Sequence, residues 1–155
     1  MPVKEPGQAK ERPVKSLFME GKMREVIEFL DANPVGCLGT IDNGKPRVRP
    51  FQSMFEQDDK LYFCTANNKE VFKQLQANPF IEFSSSSKEF ITVRLRGQIK
   101  LSQDLEIKKR IIAGNELVRS IYQTPENPIF EIFYLEHGSV IMSDFSGQPP
   151  KKFEF

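Results

Sequence analysis

A tight hairpin signal near residue 43 constrains the fold of this chain more than any other feature of its sequence. The segment Val35–Asp42 is rich in apolar and β-branched residues, and the turn sequence Asp42-Asn43-Gly44-Lys45 closes it. An Asn-Gly pair adopts the positive φ angles that a two-residue hairpin turn requires. The next segment, Pro46–Phe55, is therefore predicted to return antiparallel beside the first strand.

Further short apolar segments, each bounded by turn residues, continue along the chain. They are Leu61–Thr65, Phe80–Phe83, Phe90–Leu101, Phe130–Glu136 and Val140–Asp144. Apolar and polar residues alternate in the third of them, which is typical of a strand with one buried face. The serine run Ser84–Ser87 is predicted to be a loop. Because six or seven such strands must hide their edges, the antiparallel sheet is predicted to close into a barrel.

Short helices are predicted to flank this sheet. One apolar stripe consists of Met23, Val26, Ile27 and Leu30. Because Asn33-Pro34 ends that pattern, the first helix is predicted over Phe18–Ala32. A second helix is predicted over Lys69–Ala77, a third is predicted to be capped by Ser102, and a further helical turn covers Leu117–Ile121. The expected fold class is α+β, with a six- to seven-stranded antiparallel split β-barrel.

Length and charge limit the classes of protein to which the chain can belong. It has 155 residues, 22 of them basic and 21 acidic, with a net charge of +1. This balance argues against a general nucleic-acid binder, and no segment approaches the roughly 20 apolar residues that span a bilayer. Residues 1–15 lack the apolar core of a signal peptide and are predicted to be a mobile tail before a single domain, 16–155.

Cys37 and Cys64 are expected to be buried, reduced thiols of a cytoplasmic protein.

Few side chains in the sequence can perform catalysis on their own. His137 is the one histidine, and it has no metal-ligand spacing to either cysteine. The sequence contains no nucleophile elbow, phosphate-binding loop or dinucleotide fingerprint. An enzyme with this sequence is therefore expected to take its chemistry from a bound cofactor.

Two polar features on neighbouring segments suit an anionic ligand. Period-two geometry places Arg47, Arg49 and Phe51 on one face of the returning strand, which fits a ligand with an anionic end and a flat end. The alternative is a solvated face whose arginine stems cover apolar surface. The segment Thr65–Lys69 leads into a helix, whose free backbone N–H groups attract phosphate. The alternative there is an ordinary capped helix start with a solvated lysine.

The order of these segments resembles the FMN-binding split barrel of pyridoxamine 5′-phosphate oxidase-like proteins. The motifs that carry the resemblance are Lys45–Phe51 (KPRVRPF), Lys60–Thr65 (KLYFCT) and Gln74–Phe83 (QLQANPFIEF). The resemblance covers about Val26 to Ile99. It implies that FMN binds at the interface of a homodimer, with two flavins per dimer.

The resemblance also implies cofactor-binding residues position by position. The strand that begins at Arg49 runs beneath the flavin, and its arginine reaches the phosphate. The segment from Thr65 onward holds the phosphate and ribityl chain, and Thr92 contacts the flavin of the partner subunit. Lys69 and Lys73 replace a basic pair that many relatives carry at positions 70 and 71. The implied set is Arg49, Pro50, Phe51, Gln52, Ser53, Thr65, Asn67, Asn68, Lys69, Lys73 and Thr92.

Departures from the family pattern narrow the expected activity. The C-terminal motif of true pyridoxamine phosphate oxidases is absent from Val140–Phe155, so oxidation of vitamin B6 is not expected. Nitroimidazole reductases, the branch that the chain resembles more closely, carry a functional histidine where this chain has Gln52. The resemblance implies an FMN-dependent oxidoreductase of a small flat molecule, with NADH or NADPH as candidate electron donor and no assigned catalytic residue.

The alternative is a non-catalytic protein that binds, stores or senses flavin or haem. A more distant alternative is an oligonucleotide-binding barrel that uses Arg94 and Arg96.

Overall fold

The computed structural model describes residues 21–155. The predicted N-terminal tail and the first residues of the predicted first helix lie outside this described part. The helices are α1 Met23–Ala32, α2 Glu70–Ala77, α3 Leu105–Gly114 and α4 Glu116–Tyr122. The strands are β1 Val35–Asp42, β2 Lys45–Gln57, β3 Lys60–Ala66, β4 Phe80–Ser86, β5 Thr92–Gln98, β6 Lys100–Ser102, β7 Phe130–Leu135, β8 Ser139–Ser143 and β9 Lys151–Glu154. The predicted α+β class is confirmed.

One antiparallel sheet contains all nine strands of the described residues, in the order β6-β7-β3-β2-β1-β4-β5-β8-β9. The 13-residue strand β2 joins the two halves of this sheet. Its segment Lys45–Gln52 pairs with β1, and its segment Ser53–Gln57 pairs with β3 across a register shift between Ser53 and Glu56. Such a shift bends a strand and increases its twist, so the sheet curls into a split barrel.

The interior of the curled sheet is filled by α1 and by aromatic rings. The predicted apolar stripe of α1 is buried, and all four of its residues join the main core cluster. Phe63 is fully buried, and its ring stacks on Phe133 at a centroid distance of 5.2 Å and an interplanar angle of 10°. On the opposite face of β3 and β7, a second apolar cluster packs beneath α3 and α4.

The predicted strand Phe90–Leu101 is wrong at both ends. Phe90 has a φ of 63° and lies before β5, which begins only at Thr92. Ile99 leaves the ladder, and its N–H donates to the carbonyl of Pro79 at 2.9 Å. The following residues form β6, which pairs with β7 at the far side of the sheet. Burial of Ile99 thus turns the chain between the two halves of the barrel.

Three further predictions about local structure are corrected. Ser84–Ser86 belong to β4, where the buried Ser85 hydroxyl donates to the carbonyl of Asn33. Asp104, rather than Ser102, caps α3, because its carboxylate accepts from the first free N–H groups of the helix. Cys37 is an exposed free thiol, whereas Cys64 is a partly buried free thiol. Strands β6 and β9 were not predicted as separate strands, so the sheet has nine strands and not the six or seven predicted. No helix within residues 21–155 is long and apolar enough to cross a membrane.

The aromatic core gives a direct test of this architecture. We expect Phe63→Ala to lower the free energy of unfolding by about 3–5 kcal/mol, because it removes a fully buried ring and leaves a cavity. The control is Phe145→Ala, at a side chain that is 86% exposed; it should change stability by less than about 0.5 kcal/mol. Urea unfolding followed by circular dichroism measures both. Equal losses in the two variants would contradict the core described above.

Candidate functional site

The candidate site lies where β2 and β3 separate. Ser53 and Phe63 are the last residues at which these two strands pair. Before Ser53, β2 pairs only with β1, and after Phe63, β3 pairs only with β7. One backbone edge of β2 between Lys45 and Gln52 therefore has no strand beside it in the described part of the chain. An unpaired strand edge presents N–H and C=O groups to which a flat polar ring can hydrogen-bond.

Alternation along β2 divides the predicted site residues between two faces of the sheet. Arg49, Phe51 and Ser53 point inward, and the Phe51 ring packs against the core ring of Phe133 at 5.8 Å. The Ser53 hydroxyl is buried and lies 3.4 Å from the carbonyl oxygen of Pro34. Phe51 and Ser53 are therefore held by the fold, and their backbone groups point toward β1, because the Ser53 N–H donates to the carbonyl of Pro34 at 2.9 Å and backbone groups alternate in direction along a strand. The backbone groups at the open edge are those of the alternate residues Pro50 and Gln52.

The outer face carries the other predicted residues of the sheet. Pro50 and Gln52 lie on this face of β2, and Thr92 lies on the same face of β5, where its hydroxyl is 2.9 Å from that of Ser86. Arg94 and Arg96 also project from this face. Both of them form ion pairs with Glu82, at 2.6 and 3.1 Å. The structure thus does not bring Pro50, Gln52 and Thr92 together with Arg49 within one chain.

Arg49 is held by three neutral oxygen atoms at the edge of α2. Its Nη1 donates to the carbonyl of Leu38 at 3.2 Å and to the Thr40 hydroxyl at 2.7 Å. Its Nη2 donates to Oε1 of Gln74 at 2.7 Å, and the Thr40 hydroxyl donates to the same oxygen at 2.6 Å. Thr40 and Gln74 are buried, so these contacts join β1, β2 and α2.

The charge of Arg49 has no counter-charge in the described part of the chain. None of the ion pairs among residues 21–155 includes Arg49, and its Nε and one hydrogen of Nη2 have no partner there. Desolvation lowers the pKa of the guanidinium, but an arginine remains charged at neutral pH. A guanidinium with a free edge is suited to hold a phosphate by two parallel hydrogen bonds.

Thr65 carries the one buried side-chain polar atom without a hydrogen-bond partner in residues 21–155. It lies near the end of β3, and the residue is 2% exposed. An unpaired buried hydroxyl costs about 1–3 kcal/mol, so such groups are rare and often mark a binding site. The orphaned hydroxyl fits the role that the sequence resemblance implies for Thr65 in holding a cofactor.

The loop after Thr65 offers two free polar residues and one that the fold already uses. The Asn67 amide donates to the carbonyl of Pro128 at 2.8 Å and to Glu131 at 3.1 Å, which turns it toward β7. Asn68 and Lys69 are exposed, and Lys69 precedes α2 with no side-chain capping bond. The predicted phosphate cradle can therefore use Asn68 and Lys69, whereas the Asn67 side chain fastens the loop.

Lys73, the other lysine of the predicted set, lies four residues after Lys69 on α2. It is exposed and forms an ion pair at 3.1 Å with Glu70, three residues earlier on α2.

Sequence reasoning missed Thr40 and Gln74, which hold Arg49. The one available signal was a glutamine in the helix face that otherwise buries Val71 and Leu75.

The sequence model of the pyridoxamine 5′-phosphate oxidase family matches residues 22–140. The chain belongs to the pyridoxamine 5′-phosphate oxidase family. A NimC/NimA family protein from Clostridium acetobutylicum is 31% identical, with a TM-score of 0.81 over 90% of this chain and 95% of that one. The predicted family is thereby confirmed. No curated protein matches the chain.

Two more distant structures share the fold. One is a pyridoxamine 5′-phosphate oxidase-related, FMN-binding protein from Nostoc punctiforme, 18% identical, with a TM-score of 0.64 over 86% of this chain and 90% of that one. The other is a heme-binding protein from Mycobacterium smegmatis, 16% identical, with a TM-score of 0.64 over 79% of this chain and 53% of that one. At these identities the likeness concerns the fold alone.

Substitution of the two buried threonines tests whether the Thr65 hydroxyl is unpaired and the Thr40 hydroxyl is paired, because the two substitutions should then change the free energy of unfolding differently. We expect Thr65→Val to leave the ligand-free stability unchanged or to raise it by about 1 kcal/mol, because an unpaired polar group is removed without a change of shape. Thr40→Val should lower stability by about 1–3 kcal/mol, because Arg49 and Gln74 lose a buried partner. Urea unfolding of the ligand-free protein measures both. A loss of equal size in the two variants would contradict the assignment of Thr65.

Proposed function

We propose that this family member is an FMN-binding flavoprotein that oxidises or reduces a small flat molecule. The observation that carries the proposal is the unneutralised guanidinium of Arg49, a residue within the segment of β2 that has the open edge. The orphaned hydroxyl of Thr65, on the strand that faces this gap, supports the same site. Together they provide a cation and a polar wall for a ligand that is anionic at one end and flat at the other.

The residues present fit FMN, and each has a distinct part in holding it. The free edge of Arg49 and the exposed Asn68–Lys69 segment would bind the phosphate. The open backbone edge of β2 up to Gln52 would hold the ring system, and Thr65 would pair with a polar atom of the cofactor. When bound, FMN supplies the redox chemistry through its isoalloxazine ring.

The described side chains supply no group poised to exchange protons near neutral pH beside this site. Burial raises the pKa of Cys64 to about 12, and it raises the pKa of Tyr62 and Tyr122 to the same value. His137 lines a different cavity of about 670 Å³, together with Asp58 and Phe153. We therefore assign no catalytic residue, and the proposed reaction is electron transfer between a donor such as NADH or NADPH and an acceptor at the flavin.

The outer face of the sheet supports a homodimer. Val35 and Val48 are 64% and 69% exposed on this face, and a cavity of about 750 Å³ opens between β1, β4 and β5. Exposed apolar side chains of this kind are stabilised when a second copy covers them. In the proposed dimer, Thr92 of one protomer contributes to the flavin site of the other.

Sedimentation analysis tests the assembly. We expect a dimer at micromolar concentration in the presence of FMN, with one flavin bound per protomer. Val48→Glu places a charge at an apolar contact and should shift the population toward monomer, whereas the same change at Leu117, which is exposed on α4, should not. A monomer that binds FMN fully would contradict the dimeric site.

A second candidate function is haem binding without catalysis, which the shared fold of the Mycobacterium smegmatis protein favours. The absorbance spectrum of the purified protein separates the two. Flavin gives two broad visible bands, whereas haem gives one intense Soret band. An FMN-loaded protein that turns over no acceptor with NADH or NADPH would instead indicate flavin storage or sensing.

Removal of Arg49 tests the proposed site directly. We expect Arg49→Ala to weaken FMN binding by tenfold or more, because a charge-assisted hydrogen bond contributes roughly 1.5–3 kcal/mol. Riboflavin lacks the phosphate, so its affinity should change little. The matched control is Arg96→Ala, which removes an exposed arginine of the outer face. Fluorescence titration of all three proteins gives the affinities, and equal FMN binding by both variants would place the phosphate elsewhere.

A further inference from the structure

A neutral side chain on α2 sets the orientation of the Arg49 guanidinium. Gln74 is 8% exposed and lies on the face of α2 that packs against the sheet. A buried amide costs free energy unless its polar atoms are paired. The carbonyl oxygen of Gln74 is paired twice, since it accepts from the Thr40 hydroxyl at 2.6 Å and from Arg49 at 2.7 Å.

These contacts determine which edge of the guanidinium remains free. The Thr40 hydroxyl and the Gln74 carbonyl oxygen are neighbours, and they accept from Nη1 and Nη2 of Arg49 respectively. These two oxygen atoms therefore face the side of the planar guanidinium formed by Nη1 and Nη2. The carbonyl oxygen of Leu38 accepts the remaining hydrogen of Nη1. The edge formed by Nε and Nη2 stays open, and that edge can bind two oxygens of one phosphate.

The chemical identity of Gln74 matters as much as its position. A guanidinium only donates hydrogen bonds, so the atom that faces it must be an acceptor. A glutamate at this position would be an acceptor of nearly the same shape, but its charge would neutralise Arg49. Glutamine holds the guanidinium in place and leaves its positive charge for an anionic ligand.

We propose that Gln74 is a positioning residue for the phosphate group of the cofactor: it directs the free edge of Arg49 while keeping the site cationic. This inference rests on the proposed FMN function. It assigns to one buried amide the preference of the site for a phosphorylated flavin over an unphosphorylated one.

The test compares FMN and riboflavin binding to Gln74→Glu and to Gln76→Glu. Gln76 lies on the same helix but is exposed. Both substitutions add one negative charge, so the two variants have equal net charge and differ only in where that charge lies. We expect Gln74→Glu to bind FMN at least tenfold more weakly than the unmodified protein, with unchanged riboflavin affinity. Its ligand-free melting temperature should be equal or higher, because the new carboxylate pairs with Arg49. Gln76→Glu should match the unmodified protein in all three measurements.

Two results would overturn the role of Gln74. One is FMN affinity within twofold of the unmodified protein, and the other is an equal loss for FMN and riboflavin, which would indicate a structural role alone. If Gln74→Glu does not fold, Gln74→Met decides, since it keeps the shape and removes the acceptor. A selective loss of FMN binding in it supports the inference, and any other result rejects it. If the unmodified protein binds FMN and Arg49→Ala does not, the proposed function stands even where the role of Gln74 fails.

Discussion

The structure depends on one long strand that pairs with two different neighbours in turn. The first half of β2 completes a ladder with β1, and the second half completes one with β3. Because a strand has only two edges, this exchange of partners opens a gap between β2 and β3 on one side of Ser53. Arg49 and Thr65 lie on the two strands that border this gap, and β3 leads from it into α2, so the candidate site is a consequence of how the barrel is split.

Buried polar groups at this gap are tolerated because most of them satisfy one another. Thr40, Gln74 and Arg49 are hydrogen-bonded to one another where α2 packs against β1 and β2. Two other features are left without a partner in the described residues: the positive charge of Arg49 and the buried hydroxyl of Thr65. An anionic ligand would neutralise the charge of Arg49, and a ligand hydrogen bond would satisfy the Thr65 hydroxyl, which is why we propose this corner as the binding site.

Local sequence patterns predicted those parts of the fold that depend on neighbouring residues. The Asn-Gly turn, the α1 stripe and the alternation from Thr92 to Arg96 in β5 are properties of a few consecutive residues, and each was found where expected. The break at Ile99 and the pairing of Ser84–Ser86 were missed, because both are determined by contacts with segments far away in the chain. The exposure of Cys37 was missed for the same reason, since its neighbours in β2 and β4 leave that face uncovered.

The sequence by itself determined the hairpin, the order of most strands and helices, the family, and the choice of Arg49 and Thr65 as candidate ligands of an anion. Periodicity and turn chemistry act over a few residues and can be recognised without a structure. Only the tertiary structure decided that Asn67 is used by the fold, that Lys73 is paired with Glu70, and that Gln74 faces Arg49. Twenty-five residues separate Gln74 from Arg49, and they become neighbours because α2 packs across the end of β1. Their contact is a result of packing between distant segments, which no local pattern encodes.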